Sequence, residues 1–269
     1  MRLPKEYVDI YRQYLKFIND VKKEVKYIKR REKFISKIED VNNSTLNLES
    51  DIDDEESISK NIQGKPKNRI YRFGNGDSYI GKMIDNKMNG NGTYTFTNNE
   101  GSIVEYTGEF KDDMKHGMGV HMFGNGNIYT GTFENDFMSN IGQMNYKSED
   151  EYIGNWENGQ KHGQGIYKWR DGSLYIGEFR KSKMEGKGVC YDSNQNLIYE
   201  GEWKNNNIHG QGKYIWGNGK WYVGEFVQGK KHGYGTFYLN DRLAYEGTWK
   251  FDKPCIFNRG LDEIFSLKL

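Results

Sequence analysis

Histidines that recur at one position of a repeated pattern are the residues best suited to chemistry. Each precedes the first glycine of a G-x-G pair, and they are His116, His162, His209 and His232. Zinc needs ligand nitrogens about 2.1 Å from one ion, whereas equivalent positions in neighbouring hairpins lie roughly 10 Å apart, since each hairpin adds two strands. The spacing argues against a metal site within one chain and leaves open a site that bridges two chains. It favours histidines that hydrogen-bond the hairpin loop.

The recurring G-x-G pairs are a second candidate, because glycine-rich loops can cradle phosphate groups. Such a loop follows a strand and opens a helix, whereas each pair here begins a predicted strand and recurs along the chain. Nucleotide binding is therefore not expected. Cys190 and Cys255 are isolated, and no Ser/His/Asp or Cys/His arrangement is evident. The sequence predicts a protein that is not an enzyme, with no catalytic residue, no cofactor and no metal.

Both features belong to an internal repeat, which has to be recognised before any motif is interpreted. A Y-x-G-x-(F/W) unit recurs at steps of 27, 23, 23, 23, 24, 23 and 23 residues. Its copies begin at Tyr79, Tyr106, Tyr129, Tyr152, Tyr175, Tyr199, Tyr222 and Tyr245. A fixed period of this length indicates a repeat array, in which each unit contacts only its neighbours.

Each unit has the pattern of a β-hairpin, which residues 152–173 show most clearly. Tyr152, Gly154 and Trp156 alternate along the first strand and share one face. Asp171-Gly172, after the return strand, predicts a tight type I′ turn. Glycines on the same face as the rings let the sheet bend and leave space that a neighbouring ring can fill. The sequence predicts an all-β repeat array over 69–258, a single-layer twisted antiparallel sheet of tandem β-hairpins about 75 Å long.

Residues 1–41 are predicted to form a basic amphipathic helix. Apolar residues from Tyr7 to Ile28 recur at alternating steps of 4 and 3, which is a heptad seam. The seam suits either a helix packed on its own protein or a coiled coil in a homodimer. With 12 Lys and Arg against 7 Asp and Glu, the segment has a net charge of +5. The basic residues form either a solvated face of the helix or a surface that binds anionic lipid. The expected lipid contacts are Lys22, Lys23, Lys26, Lys29, Arg30, Arg31 and Lys33.

Two further segments flank the array. Residues 42–68 are polar and acidic, with 3 Lys against 6 Asp and Glu, and predict a flexible linker. Pro254 ends the strand pattern, and apolar residues after it predict a short helix over 259–269. A terminal repeat must cover its open edge, so we expect this helix to be a C-terminal cap.

Composition narrows the class of protein. A net charge of +1 argues against a general polyanion binder, so no nucleic-acid partner is expected. Two cysteines make no disulfide framework, which favours a reducing, intracellular compartment. The charged N-terminus and the absence of 18 consecutive apolar residues predict neither a signal peptide nor a transmembrane span.

The repeat resembles the MORN (membrane occupation and recognition nexus) repeat. The resemblance rests on Y-x-G-x-(F/W)-x-x-(G/N)-x-x-H-G-x-G, as in residues 152–165 and 222–235, and covers most of the chain. It implies a ribbon of hairpins with an aromatic groove for a partner. Met83 and Asn140 depart from the pattern, which weakens units one and three as ligand sites. The implied groove residues are Tyr79, Tyr106, Phe110, Tyr129, Phe133, Tyr152, Trp156, Tyr175, Phe179, Tyr199, Trp203, Tyr222, Phe226, Tyr245 and Trp249, to which the aromatic face of the return strands adds Trp169 and Trp216.

These features together predict a non-enzymatic scaffold or adaptor. Its partner is expected to be a protein, bound as a helix or an extended peptide in the aromatic groove. The resemblance implies a cytoplasmic location at a cytoskeletal, flagellar or membrane-associated structure. Two alternatives stay open: a peripheral membrane module that binds anionic lipid through the basic helix, and a regulatory subunit of an enzyme that acts in trans.

Overall fold

The computed structural model describes residues 5–46 and 69–255. The chain divides into two compact units, an N-terminal unit spanning Pro4–Gln160 and a C-terminal unit containing Lys161–Leu269. Residues 47–68, which include most of the predicted linker, and the predicted cap at 259–269 lie outside the described residues.

The N-terminal unit combines one helix with antiparallel strands. Helix α1 spans Lys5–Leu46 and so continues past its predicted end at residue 41. Each strand pairs with its neighbours in chain order. The strands are β1 (Arg69–Arg72), β2 (Ser78–Ile84), β3 (Lys87–Thr97), β4 (Ile103–Lys111), β5 (Met114–Met122), β6 (Ile128–Glu134), β7 (Phe137–Asn145) and β8 (Glu151–Glu157).

The C-terminal unit repeats the same architecture in strands alone over its described residues. Its strands also pair antiparallel in chain order. They are β9 (Gln160–Lys168), β10 (Leu174–Arg180), β11 (Lys183–Tyr191), β12 (Leu197–Lys204), β13 (Asn207–Gly217), β14 (Lys220–Val227), β15 (Lys230–Leu239), β16 (Arg242–Lys250) and β17 (Lys253–Pro254). The predicted sheet of tandem antiparallel hairpins is confirmed in both units.

Most of the tight turns fall at the other end of the hairpin from the one that the sequence predicts. In Asp112-Asp113, between β4 and β5, both residues have positive φ, at 50° and 70°, as a type I′ turn requires. In Asp171-Gly172 only the glycine does, at 91°, because the connection between β9 and β10 is a longer loop. The prediction of a type I′ turn there is wrong. Asn218-Gly219, at 52° and 68°, does form such a turn.

The core on one side of the sheet, here called the aromatic face, is a series of edge-to-face rings. Tyr106 lies against Gly119, where an added Cβ would sit 2.5 Å from its Cε2 atom, so only glycine fits. The tyrosine packs on Phe110 of its own hairpin and Phe133 of the next, at 5.0 Å between ring centroids in both cases. Its hydroxyl donates to the carbonyl of Glu109 at 2.9 Å. The corresponding fully buried residues are Tyr79, Tyr129, Tyr152, Tyr175, Tyr199 and Tyr222.

Helix α1 packs on the opposite side of the N-terminal unit, here called the helix face, against β3 to β8. The buried seam of the helix consists of Tyr14, Ile18, Val21, Val25 and Ile28. The buried sheet residues on this face are Thr93, Thr107, Thr130, Gln143 and Ile153. The Tyr14 hydroxyl donates to Asn155 Oδ1 at 2.8 Å. Of the two arrangements predicted for the seam, the structure has the helix packed on its own protein.

Candidate functional site

Most residues expected to line a partner groove belong to the core. Their rings fill the space above the glycines and pack on one another, so their exposed fractions lie between 0% and 8%. These buried residues are Tyr106, Phe110, Tyr129, Phe133, Tyr152, Trp156, Tyr175, Phe179, Tyr199, Trp203, Tyr222, Phe226 and Trp249. Of the residues expected to line the groove, Trp169, Trp216 and Tyr245 remain accessible to a partner, since they are half-buried or exposed.

A cavity of about 470 Å³ opens on the aromatic face of the N-terminal unit. Half-buried rings from Tyr94, Phe96 and Phe123 line it, and they lie at or just beyond the ends of the return strands. The buried rings of Tyr106 and Phe110 lie beneath them. The sequence prediction missed these three lining rings, because from the return strands it selected only Trp169 and Trp216. The aromatic residues that follow each G-x-G pair at alternate positions were the signal for them.

The cavity is close to neutral. Burial lowers the pKa of His121 to about 4, and the nearby charge of Lys115 acts in the same direction, so the imidazole is uncharged at neutral pH. The Lys115 ammonium is balanced by Asp136, with Nζ 3.3 Å from Oδ1. Burial, together with a hydrogen bond to Asp77, raises the pKa of Tyr94 to about 12. The remaining charged group of the lining is Asp113, whose Oδ1 accepts a hydrogen bond from the backbone nitrogen of Met88 at 2.7 Å. A lining made mostly of rings suits an apolar side chain.

Lysines on the aromatic face of the C-terminal unit are enclosed by rings. Lys231 is only 4% exposed, and its ammonium lies 5.1 Å from the ring centroid of Trp216 and 4.8 Å from that of Trp249. Burial lowers the pKa of this lysine. The Lys161 ammonium similarly lies 4.6 Å from the centroid of Tyr167. Cation–π contacts of this kind stabilise the face itself.

Glutamates close the hairpin loops, a role that the sequence predicted for the histidines. Glu109 Oε1 accepts a hydrogen bond from the backbone nitrogen of Met118 at 2.9 Å. The Nδ1 atoms of His116 and His232, in contrast, are buried without a hydrogen-bond partner. Within residues 5–46 and 69–255, no group of three or more His, Cys, Asp or Glu side chains could hold a metal ion.

The residues expected to contact lipid lie on the exposed side of α1. Lys22, Lys23, Lys26, Lys29, Arg30 and Lys33 are exposed, and the side chain of Arg31 lies outside the described residues. Lys29 Nζ reaches Glu105 Oε1 at 2.6 Å, and Lys22 Nζ reaches Gln143 Oε1 at 3.2 Å. Over residues 8–30 the sheet covers the apolar seam, and the exposed side chains of the helix there are charged or polar apart from Tyr27. None of the described helical segments has the length and apolar character to cross a membrane.

The fold is a tandem array of antiparallel hairpins, each closed by a tyrosine stacked over glycines. The family model of the MORN repeat matches residues 79–100, 106–128, 152–174, 175–197, 199–221, 222–242 and 245–255. These segments cover more than half of the chain, which therefore belongs to the MORN repeat family. A comparison with curated proteins gives no match.

The hairpin of β6 and β7 is not among the matched segments, although it has the same fold. Asn140 stands where most other units have the first glycine of the G-x-G pair, and its φ is 50°. Asparagine is one of the few residues that tolerate this left-handed conformation. The departure at Asn140 therefore changes the sequence pattern and preserves the hairpin.

Proposed function

We propose that this protein is a non-enzymatic scaffold or adaptor that binds a protein partner through its aromatic face. The observation that carries the proposal is the cavity of about 470 Å³ lined by half-buried rings. Its largely aromatic lining fits an apolar side chain from a partner helix or an extended peptide. Membership of the MORN repeat family supports a binding module, and we place it in the cytoplasm at a cytoskeletal or membrane-associated structure.

Phe96 and Phe123 are the proposed anchors. Both are half-buried. Part of each ring is therefore accessible to a partner, and the rest packs against the protein. Aromatic anchors in partly enclosed pockets often contribute 2 kcal/mol or more to an interface. Tyr106 and Phe110, which also line the cavity, are buried in the core, so they are not suitable positions for a binding test.

The test is affinity capture of partners, followed by binding measurements on variants. Phe96→Ala and Phe123→Ala should weaken binding of the captured partner at least tenfold, which corresponds to about 1.4 kcal/mol. Ile103→Ala is the matched control. Ile103 is 63% exposed, and it points away from the cavity, because it directly precedes Val104, which lines the cavity. Circular dichroism should show a folded sheet for all three variants. Equal loss of binding in the Ile103 variant, or none in the two phenylalanine variants, would place the partner elsewhere.

A second candidate function is peripheral attachment to an anionic membrane. It is favoured by the row of exposed basic residues along α1. Since the apolar seam is covered, such binding would depend on charge and would be screened by salt. It would lack the apolar insertion that amphipathic helices usually provide.

Sedimentation with vesicles of phosphatidylcholine and phosphatidylserine tests this second function. The full chain should sediment with the vesicles at low salt and be released as salt is added. The double substitution Lys23→Glu with Arg30→Glu should abolish binding, whereas Lys183→Glu, at an exposed site in the sheet, should not. Binding that persists at high salt, or that ignores the helix substitutions, would exclude a role for the basic helix.

A further inference from the structure

An apolar patch lies on the side of the C-terminal unit that is opposite to its aromatic face. Val223, Tyr234 and Leu243 are 42%, 62% and 56% exposed. Trp221 pairs with Tyr238 across β14 and β15, and their rings stack with centroids 3.6 Å apart. Exposed apolar residues that cluster in this way are characteristic of a binding surface.

The patch occupies a repeat position that contacts α1 in the N-terminal unit. Val223 directly follows Tyr222, as Thr107 follows Tyr106 and Thr130 follows Tyr129. In the N-terminal unit these threonines are buried on the face where α1 packs. In the hairpin of β14 and β15, the repeat position that accommodates a helix in the N-terminal unit is therefore occupied by an exposed valine beside stacked rings.

Charges around the patch indicate the chemistry of its occupant. Glu200 and Glu246 are exposed on the same face. Lys213 lies beside Glu200 in the strand register and places its ammonium 4.7 Å from the centroid of the Trp221 ring. Glu246 is at the other side of the patch, where its Oε1 accepts a hydrogen bond from the Tyr234 hydroxyl at 3.0 Å. In the N-terminal unit, the comparable contacts join lysines of the helix to the sheet, as between Lys29 Nζ and Glu105 Oε1 at 2.6 Å. A helix with an apolar stripe flanked by lysine or arginine would complement both the rings and Glu246.

We propose that this patch binds a basic amphipathic helix of a partner protein, in the manner in which the N-terminal unit binds α1. The apolar stripe of the helix covers the exposed side chains of Val223, Tyr234 and Leu243, and a basic residue beside the stripe pairs with Glu246. The patch shares no residue with the cavity proposed above.

A synthetic, fluorescein-labelled peptide of residues 8–33 is the probe, because this sequence is a basic amphipathic helix that packs on the corresponding face. Fluorescence anisotropy with the full-length protein should show saturable binding. Val223→Glu combined with Leu243→Glu should weaken it at least tenfold, and so should Tyr234→Ala as an independent variant. Phe96→Ala, in the cavity, should leave it unchanged, which separates the two proposals.

Three outcomes would overturn the proposal. The first is binding that is insensitive to the patch variants, since the peptide would then be exchanging with α1. The second is equal binding of a peptide with Lys22, Lys26 and Lys29 changed to Glu, which would remove the role of charge. The third is dimerisation of the chain in analytical ultracentrifugation that Leu243→Glu abolishes, which would make a second copy the occupant. Thermal unfolding of each variant shows that lost binding is not lost folding.

Discussion

Glu32 makes the docking of α1 sensitive to pH. Its side chain is 6% exposed, and Oε2 accepts a hydrogen bond from the hydroxyl of Thr93 at 2.9 Å. Burial raises its pKa from 4.5 to about 7, with a further rise from the charge of Glu105. The hydrogen bond from Thr93 and the charge of Lys29 act in the opposite direction. A carboxyl group between helix and sheet is thus protonated at pH values where an exposed one is ionised.

The sign of the effect follows from the higher pKa in the docked state. Docked protein binds the proton more tightly than undocked protein, so docking is strongest below about pH 4.5 and weakens as the pH rises to about 7. At 1.36 kcal/mol for each unit of pKa, the difference between 4.5 and about 7 is worth at most about 3.4 kcal/mol. Because hydration of the ionised group offsets part of this, we expect about 1–2 kcal/mol.

Hydrogen exchange of the α1 amides at pH 5 and pH 8 measures the effect, after correction for intrinsic exchange rates. The wild-type helix should open more readily at pH 8, by the 1–2 kcal/mol derived above. Glu32→Gln keeps the shape without the ionisation, so its helix should show little pH dependence and dock more firmly at pH 8. Glu24→Gln, at a half-exposed site bonded to Asn91, is the control and should behave as wild type. Unchanged pH dependence in Glu32→Gln would refute the reasoning.

Three further predictions concern the repeats. Gly119→Ala should lower the free energy of unfolding by about 2–3 kcal/mol in urea titrations, because its Cβ would overlap Tyr106, whereas Gly74→Ala, with open space around it, should have little effect. Asn140→Gly should raise the free energy of unfolding by about 0.5–1 kcal/mol, since glycine adopts its φ of 50° without strain; a loss of stability would contradict this. The His121 pKa of about 4 lies below the unfolded value of 6.5, so its stabilising contribution is complete above 6.5 and declines toward pH 4. Its imidazole signals in NMR should stay constant from pH 8 to pH 5, and a midpoint near 6.5 would contradict the burial argument.

The hairpin array could be read from the sequence, because the spacing of residues such as Tyr106 and Tyr129 fixes both strand alternation and repeat length. The turn type at Asp171-Gly172 could not, since the same dipeptide serves a longer loop in which only the glycine needs positive φ. The sequence also does not decide whether α1 docks on the sheet, because threonines such as Thr93 and Thr107 suit a solvated surface as well as a helix interface. In the structure both are buried, with their hydroxyl oxygens 2.7 Å apart.

The candidate site was predicted less well than the fold. The aromatic face was located correctly, but the sequence does not show that Trp203 fills the space beside Tyr175, at 5.1 Å between ring centroids. Because most rings of the outgoing strands are buried in this way, the rings that remain accessible to a partner are mainly those on or just after the return strands, such as Phe96. The ion pair of Lys115 and Asp136 in the cavity depends on a distance between two hairpins, which cannot be derived from the spacing of residues in the sequence.

The edge-to-face contacts between successive hairpins have an evolutionary consequence. Tyr79 packs on Phe110, Tyr199 on Phe226 and Tyr222 on Trp249, with centroids 5.2, 5.6 and 5.4 Å apart. Every such joint uses the same two repeat positions, so a gene duplication that inserts one whole repeat creates a joint of the same kind and needs no compensating mutations. An insertion of half a repeat would separate a tyrosine from its partner ring. Lineages can therefore lengthen or shorten such a protein in steps of one hairpin.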